Sequence, residues 1–348
     1  MDQERLARMY EASLLRRQTR LSEARALFQQ ASNGGNRLQD MQGLLSRLTP
    51  GLTKKPSSVA RSRPVSVDPG MFLDFSYAND AGERAYKLYV PTGYVGRLSP
   101  LIVMLHGGTQ GADDFAAGTR MNESAERQGF LVAYPEQSRR ANPNGYWNWF
   151  QPKDQRRGGG EPSLIAGITA KIMGAYAIDP RRVYVGGFSA GGAMAAVMAG
   201  SYPDVYAAAG VHSGLAAGVA HDIPSAFAAM AQGSSTTIER SRVPLIVFHG
   251  DADSTVRYVN ADGLVRAVLP NPGDRERPLT KRARVQGGHE YTRRLYAERA
   301  GSPRVENWTI HEAGHAWSGG SPDGTYTDPQ GPDASAELVR FFSENFRR

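Results

Sequence analysis

The sequence predicts an α/β fold in which a mostly parallel central sheet is flanked by helices, preceded by a short N-terminal helical hairpin. Two observations carry the prediction. From residue 71 onward, apolar runs alternate with stretches of helical character. Several of those runs are apolar at successive positions and end in glycine, as strands covered on both faces do.

The elements follow in order. "FLDFSYAN" (72–79) and "RAYKLYVP" (84–91) read as paired strands around the turn-forming "DAGE". "PLIVMLHGG" (100–108) reads as a buried parallel strand, and 130–136, 182–189, 207–214, 243–251 and 305–315 continue the series. Helical stretches lie between them, including 112–128, 161–177 and 190–201, and Ala334–Phe346 closes the chain as a last helix. Ahead of this body, residues 1–48 read as a helical hairpin. Leu6, Met9, Tyr10 and Leu14 stand at helical spacing, and Leu21, Ala24, Leu27 and Phe28 follow near Ser22, an N-cap candidate. Residues 49–70, rich in Pro, Ser, Gly and basic side chains, read as a flexible linker, leaving 71–348 as the main folded domain.

Composition narrows the chemistry. With 348 residues and 40% hydrophobic content the chain can bury a sizeable core. It contains no cysteine, which excludes disulfides, thiolate catalysis and cysteine-ligated zinc. No run reaches the roughly 20 apolar residues of a membrane span. Arg5, Arg8, Arg16, Arg17 and Arg20 interrupt any apolar stretch that would mark a secretory leader. The expected location is therefore cytoplasmic. Residues 1–64 hold 12 Lys and Arg against 5 Asp and Glu, so the net charge of +7 resides there and the remainder balances. A cationic leader of this kind suits an anionic surface, and a solvated helical face is the alternative.

The strongest motif is Gly187-Phe188-Ser189-Ala190-Gly191, which follows the apolar strand Val183–Val185 and opens the small-residue helix Gly192–Ala199. That is the strand–turn–helix setting of G-x-S-x-G. The turn forces the serine into a strained conformation, and only glycine fits two residues to either side. Ser189 is thereby raised above the sheet edge, with the Ala190 amide aimed where an oxyanion would develop. A serine hydroxyl needs a base, and in the α/β-hydrolase fold that hosts this elbow the chain order is Ser, then Asp or Glu, then His. "HGDADSTV" after the strand Leu245–Phe248 offers two acids. Asp253, where the loop curves back, is chosen, with Asp251 as the alternative. Of the later histidines, His315 in the glycine-rich "EAGHAWSGG" is the base. His311 falls within a strand and His289 in a hairpin-like turn. His106, His212 and His249 are read as structural, with a place on the pocket wall as the alternative for His212. "LHGGTQ" supplies the second oxyanion amide, from Gly108 or, failing that, Thr109. Trp147 and Trp317 are divided between substrate contact and packing, whereas Trp149 and Phe150 are packing residues.

Taken together, "HGGTQGADDFAAGTRMN", "FLVAYPEQ", "YWNWF", "GGFSAGGAMAAVMAGSYPDVYAAAGVHSGL", "FHGDADSTV" and "GHAWSGG" resemble the polyhydroxybutyrate (PHB) depolymerase family of esterases, from Phe72 to Phe346. The resemblance implies an α/β-hydrolase fold, the triad Ser189, Asp253 and His315, and esters of short hydroxyalkanoic acids as substrates, polymeric or oligomeric. It implies neither metal nor organic cofactor. A polymer granule would be the partner of basic residues 1–64. Many relatives carry one cysteine where Gly108 stands and another where Tyr146 stands, a pair that would staple the oxyanion loop. Both are missing here. Feruloyl, acetyl or other small esters are the alternative substrates, since G-x-S-x-G does not discriminate acyl groups. A non-enzymatic granule-associated protein is the alternative function.

Overall fold

The pattern of apolar residues along the central strands assigns the layers. Leu101, Val103 and Leu105 belong to one buried cluster, and Ile102 and Met104 to another. Val183 and Val185 alternate in the same way with Tyr184, as do Leu245 and Val247 with Ile246 and Phe248. Side chains on a strand alternate between faces, so a strand apolar at successive positions must be covered on both. The computed structural model describes residues 70–347 apart from 234–238, 270, 276 and 298–302. The predicted hairpin (1–48) and all of the predicted linker (49–70) except Gly70 lie outside the described residues.

Among the described residues ten strands form the main sheet: β1 (Met71–Asn79), β2 (Gly82–Val90), β3 (Ser99–Leu105), β4 (Leu131–Pro135), β5 (Ile178–Phe188), β6 (Ala208–His212), β7 (Leu245–Gly250), β8 (Leu279–Arg284), β9 (Glu290–Ala297) and β10 (Pro303–Ile310). Their spatial order is β1-β2-β4-β3-β5-β6-β7-β10-β9-β8. The six strands from β4 to β10 are parallel, and β1-β2 and β9-β8 are antiparallel wings. One face carries α3 (Gly160–Ala175), α4 (Ala190–Ser201), α5 (Ile223–Gln232) and α6 (Val259–Val268), which pack with the first cluster. The other carries α1 (Ala112–Thr119), α2 (Met121–Gln128) and α7 (Ala334–Glu344), which pack with the second. A two-residue ladder, β11 (Trp317–Ser318) with β12 (Thr327–Asp328), stands apart from the sheet. No helix among the described residues is long and apolar enough to cross a membrane.

Two features depart from the expected elements. The helix expected over 112–128 is broken at Arg120, which adopts the left-handed conformation (φ 51°) and joins α1 to α2. The strands β8 and β9 were not anticipated. β8 is almost wholly exposed and carries Lys281, Arg282 and Arg284, so it lacks the apolar run that marks the central strands.

The topology also locates a crevice. The chain passes from β3 to β4 on one side, then returns across β3 to place β5 on the other. Strand order therefore reverses between β3 and β5, and crevices at the carboxyl ends of such strands are where ligands bind in open α/β sheets.

The α7 layer depends on tight contact. The Phe342 ring stacks on Tyr184 at 4.8 Å and 2°, and Leu338 fills the space above Gly210. Phe342→Ala is expected to lower the unfolding free energy by about 3–5 kcal/mol, read by denaturant titration. A loss below about 1 kcal/mol would show that α7 does not hold this face.

Candidate active site

At the end of β5 the chain turns sharply into α4, and Ser189 sits on the turn with φ 53° and ψ −118°. Positive φ is costly for a residue with a Cβ, so the surroundings must impose it. A Cβ on Gly191 would run into the carbonyls of Leu105 and His106 at the end of β3, and one on Gly187 into the Gly191 carbonyl. The Ser189 amide donates to the His212 carbonyl at 2.9 Å, tying the turn to β6. The serine is left half-buried at the carboxyl end of β5, where strand order reverses.

The structure brings His315 and Asp253 to this point. His315 Nε2 lies 2.9 Å from Ser189 Oγ, and His315 Nδ1 lies 2.7 Å from Asp253 Oδ2. A carboxylate only accepts, so Nδ1 carries the proton and Nε2 presents its lone pair to the serine hydroxyl. Asp253 is buried, and its Oδ1 accepts the amides of Thr255 and Val256, both at 2.9 Å. Burial pushes the Asp253 carboxyl up, but the His315 hydrogen bond, the nearby His315 and His249 rings and the amide donors outweigh it and hold the group below the ordinary Asp value. It thus stays ionised where an imidazole exchanges protons.

The alternative acid, Asp251, turns away and meets His311. His289 lies at Asp328. His249 is buried, donates Nε2–H to the Val256 carbonyl at 2.8 Å, and is pushed toward the neutral form by desolvation. His106 accepts the Gln137 amide and its Nδ1 faces the Gly107 carbonyl, which is the backbone role expected of it.

Beyond β3, the Thr109 amide is engaged by the Asn144 carbonyl at 3.1 Å. Among the described residues the Gly108 amide has no acceptor, so Gly108 is the better placed of the two oxyanion candidates. The Tyr146 ring lies directly against Gly108 and fills the space a Cβ would need. The loop is held by packing and by hydrogen bonds: Trp147 Nε1–H to the His106 carbonyl at 3.1 Å, and Gln137 Nε2–H to the Tyr146 carbonyl at 2.8 Å. Beneath them Glu161, buried and facing Arg84 at 3.3 Å, accepts the Asn148 amide and side chain, each at 2.7 Å.

Trp147 and Trp317, offered by the sequence as substrate contacts, are both enclosed. They are 0% and 2% exposed, so neither ring offers a face to a ligand. Trp317 is wedged among Phe115, Phe188 and His212 and donates to Ser335 Oγ. Phe188, equally enclosed, packs beneath His315 with its ring 4.9 Å away, while Tyr146 and Tyr326 lie along the loop after β3. Tyr326 adopts φ 54°, and its hydroxyl lies 3.2 Å from Thr109 Oγ1 on the candidate oxyanion loop. It comes from a Gly- and Pro-rich segment with no periodicity, so nothing in the sequence singled it out.

Gly108→Ala is expected to displace the loop from Tyr146 and to slow turnover of a soluble ester by about 10²–10³-fold, the usual cost of one oxyanion donor. Adding Tyr146→Ala should restore part of that loss by reopening the space. Full activity in Gly108→Ala alone would contradict this assignment.

Comparison with known proteins agrees with this architecture. Residues 84–283 match the family model described as Esterase PHB depolymerase. The chain is 31% identical over 268 residues to poly(3-hydroxyalkanoate) depolymerase C of Paucimonas lemoignei, covering 73% of this chain and 61% of that protein. It is 30% identical over 207 residues to acetylxylan esterase A of Emericella nidulans, covering 52% and 66% respectively. The chain thus spans about three fifths to two thirds of these relatives' lengths. Among solved structures, acetyl xylan esterase from Aspergillus awamori superposes with a TM-score of 0.61 at 20% identity, over 79% of this chain and 100% of that one. An S-formylglutathione hydrolase from Agrobacterium tumefaciens gives 0.51 at 14% identity, over 80% and 97%. The fold is that of the α/β-hydrolases, and the chain belongs to the PHB depolymerase family of esterases.

Proposed function

We propose that the protein is a serine carboxylic ester hydrolase that cleaves poly- or oligo(3-hydroxybutyrate) esters through Ser189, His315 and Asp253. The observation that carries this reading is the unbroken hydrogen-bonded line from Ser189 Oγ through the His315 ring to Asp253. Ser189 Oγ attacks the ester carbonyl while His315 Nε2 takes its proton. Asp253 keeps the ring in the required tautomer and stabilises the imidazolium. The tetrahedral oxyanion is received by the amides of Gly108 and Ala190, the latter at the start of α4. The ester C–O bond breaks, the alcohol leaves with the proton held on Nε2, and an acyl-enzyme remains on Ser189. Water deprotonated by His315 then attacks the acyl carbon, and the acid departs as Ser189 regains its proton.

The preference for hydroxyalkanoate esters is supported by the match to a family that includes a poly(3-hydroxyalkanoate) depolymerase. A second reading has its own support. Relatives at comparable identity are an acetylxylan esterase and feruloyl esterase B of Thermothelomyces thermophilus, which makes acetyl or feruloyl esters the alternative substrates. A non-enzymatic granule protein is disfavoured by a serine and a histidine already in proton-transfer range.

A panel of hydroxybutyrate oligomers, acetyl esters, feruloyl esters and aryl esters separates these readings. The expected result is the highest kcat/KM on hydroxybutyrate oligomers, with kcat reduced on the order of 10⁶-fold by Ser189→Ala. A preference for acetyl or feruloyl esters would transfer the assignment to the second reading, and unchanged hydrolysis in Ser189→Ala would end both. The basic residues 1–64 are proposed to dock on a polymer granule. Removing them should abolish sedimentation with granules while leaving hydrolysis of a soluble ester intact, and equal sedimentation would discard the docking role.

A further inference from the structure

Two residues that stand outside the triad line meet each other beside it. His311 Nδ1 lies 2.7 Å from Asp251 Oδ2, and Asp251 Oδ1 accepts the Glu312 amide at 2.7 Å. On its other side the His311 ring reaches Thr292 Oγ1 on β9 at 2.8 Å, and the His311 amide donates to the Glu290 carbonyl at 2.8 Å. The arrangement copies the triad in residue type. Thr292, however, is buried within β9 and paired across to Thr309 of β10, which leaves a substrate no approach to its hydroxyl. The constellation is a brace, not a second catalytic centre.

What it braces follows from where it stands. Asp251 leaves the end of β7, two residues before Asp253, and His311 leaves the end of β10, four residues before His315. β7 and β10 are parallel neighbours, so the acid and base loops emerge side by side. Two backbone bonds join them, from the Asp251 amide to the Ile310 carbonyl at 3.0 Å and from the Ala252 amide to the Ala313 carbonyl at 3.1 Å. Between them Glu312 is held at φ 62°, a left-handed conformation that is unfavourable for a residue with a side chain. The Asp251 carboxylate receives both the Glu312 amide and the His311 ring, so it is the group that holds this turn in place.

We propose that Asp251 and His311 form a positioning pair that fixes the spacing of the two loops and so keeps His315 Nε2 within reach of Ser189 Oγ. The proposal rests on the triad reading above. A displacement of about 1 Å at a reacting group can cost on the order of 10² in rate. Neither residue touches the reacting atoms. The pair acts on the chemical step through His315 and leaves substrate binding alone.

The test uses the full chain with Asp251→Ala, His311→Ala and the double variant, assayed on p-nitrophenyl butyrate beside Ser189→Ala, with melting temperatures measured in parallel. Both residues are partly exposed, at 37% and 25% of their side chains, so truncation leaves no sealed void in the core. The expected result is a kcat about tenfold lower or more in each single variant, KM within twofold of wild type, and a double variant no slower than the worse single. An unchanged kcat, a loss shared with KM and the melting temperature, or losses that multiply in the double variant would each overturn the pairing. With wild type active and Ser189→Ala inert, such a result sinks the pair alone. Hydrolysis persisting in Ser189→Ala sinks the triad reading on which it rests.

Discussion

Everything at the carboxyl edge of the sheet depends on how closely the end of β3 approaches the turn between β5 and α4. The carbonyls of Leu105 and His106 stand where a side chain on Gly191 would be, and the Gly191 carbonyl stands where one on Gly187 would be. That contact leaves room only for glycine on both sides of Ser189 and holds the serine itself at positive φ. Strain of this kind costs roughly 1–3 kcal/mol and persists only where the surroundings over-determine it. Here they do: β3, β5 and β6 are buried on both faces, and the Ser189 amide is bonded to the end of β6.

The same economy of contacts delivers the histidine. Burial drives the His212 ring well toward its neutral form, so its Nε2 is free to accept the Ser318 amide at 3.0 Å. The ring also stacks on Trp317 at 5.0 Å. Trp317 and Ser318 lie two and three residues past His315, and β11 pairs them with the segment that follows Tyr326. The far end of the histidine loop is therefore fastened to β6 beneath the elbow, and its near end to β7 through Asp251. Trp317 serves the site by anchoring this loop from inside the core.

Much of this was legible in the sequence. Most of the parallel strands announced themselves because they are apolar at successive positions, a pattern that burial on both faces explains; β10 is the exception, with Glu306, Asn307 and Thr309 buried among its apolar residues. The elbow was legible because its glycines are required by geometry, and chain order then narrowed the acid and base to a few residues. What escaped notice has physical reasons. β8 is an exposed edge strand whose Lys and Arg side chains carry no periodic apolar signal. The break at Arg120 falls on a residue in the left-handed conformation that is neither Gly nor Pro, so no breaker residue marks it. Tyr326 reaches Thr109 from more than 200 residues away and Asp251 meets His311 across 60, and no local pattern encodes such meetings. The enclosed Trp317 reverses the lesson: nearness in sequence to the candidate base His315 says nothing about which way its ring faces.

The central claim is that Ser189 carries the acyl group during turnover. The most direct measurement is mass spectrometry of the protein quenched during hydrolysis of a slow ester, followed by peptide mapping. The account predicts one acyl adduct per chain, on the peptide containing Ser189, and no adduct when His315 is replaced by Ala. Steady hydrolysis with an adduct on another residue, or with undiminished acylation in the absence of the His315 imidazole, would contradict it.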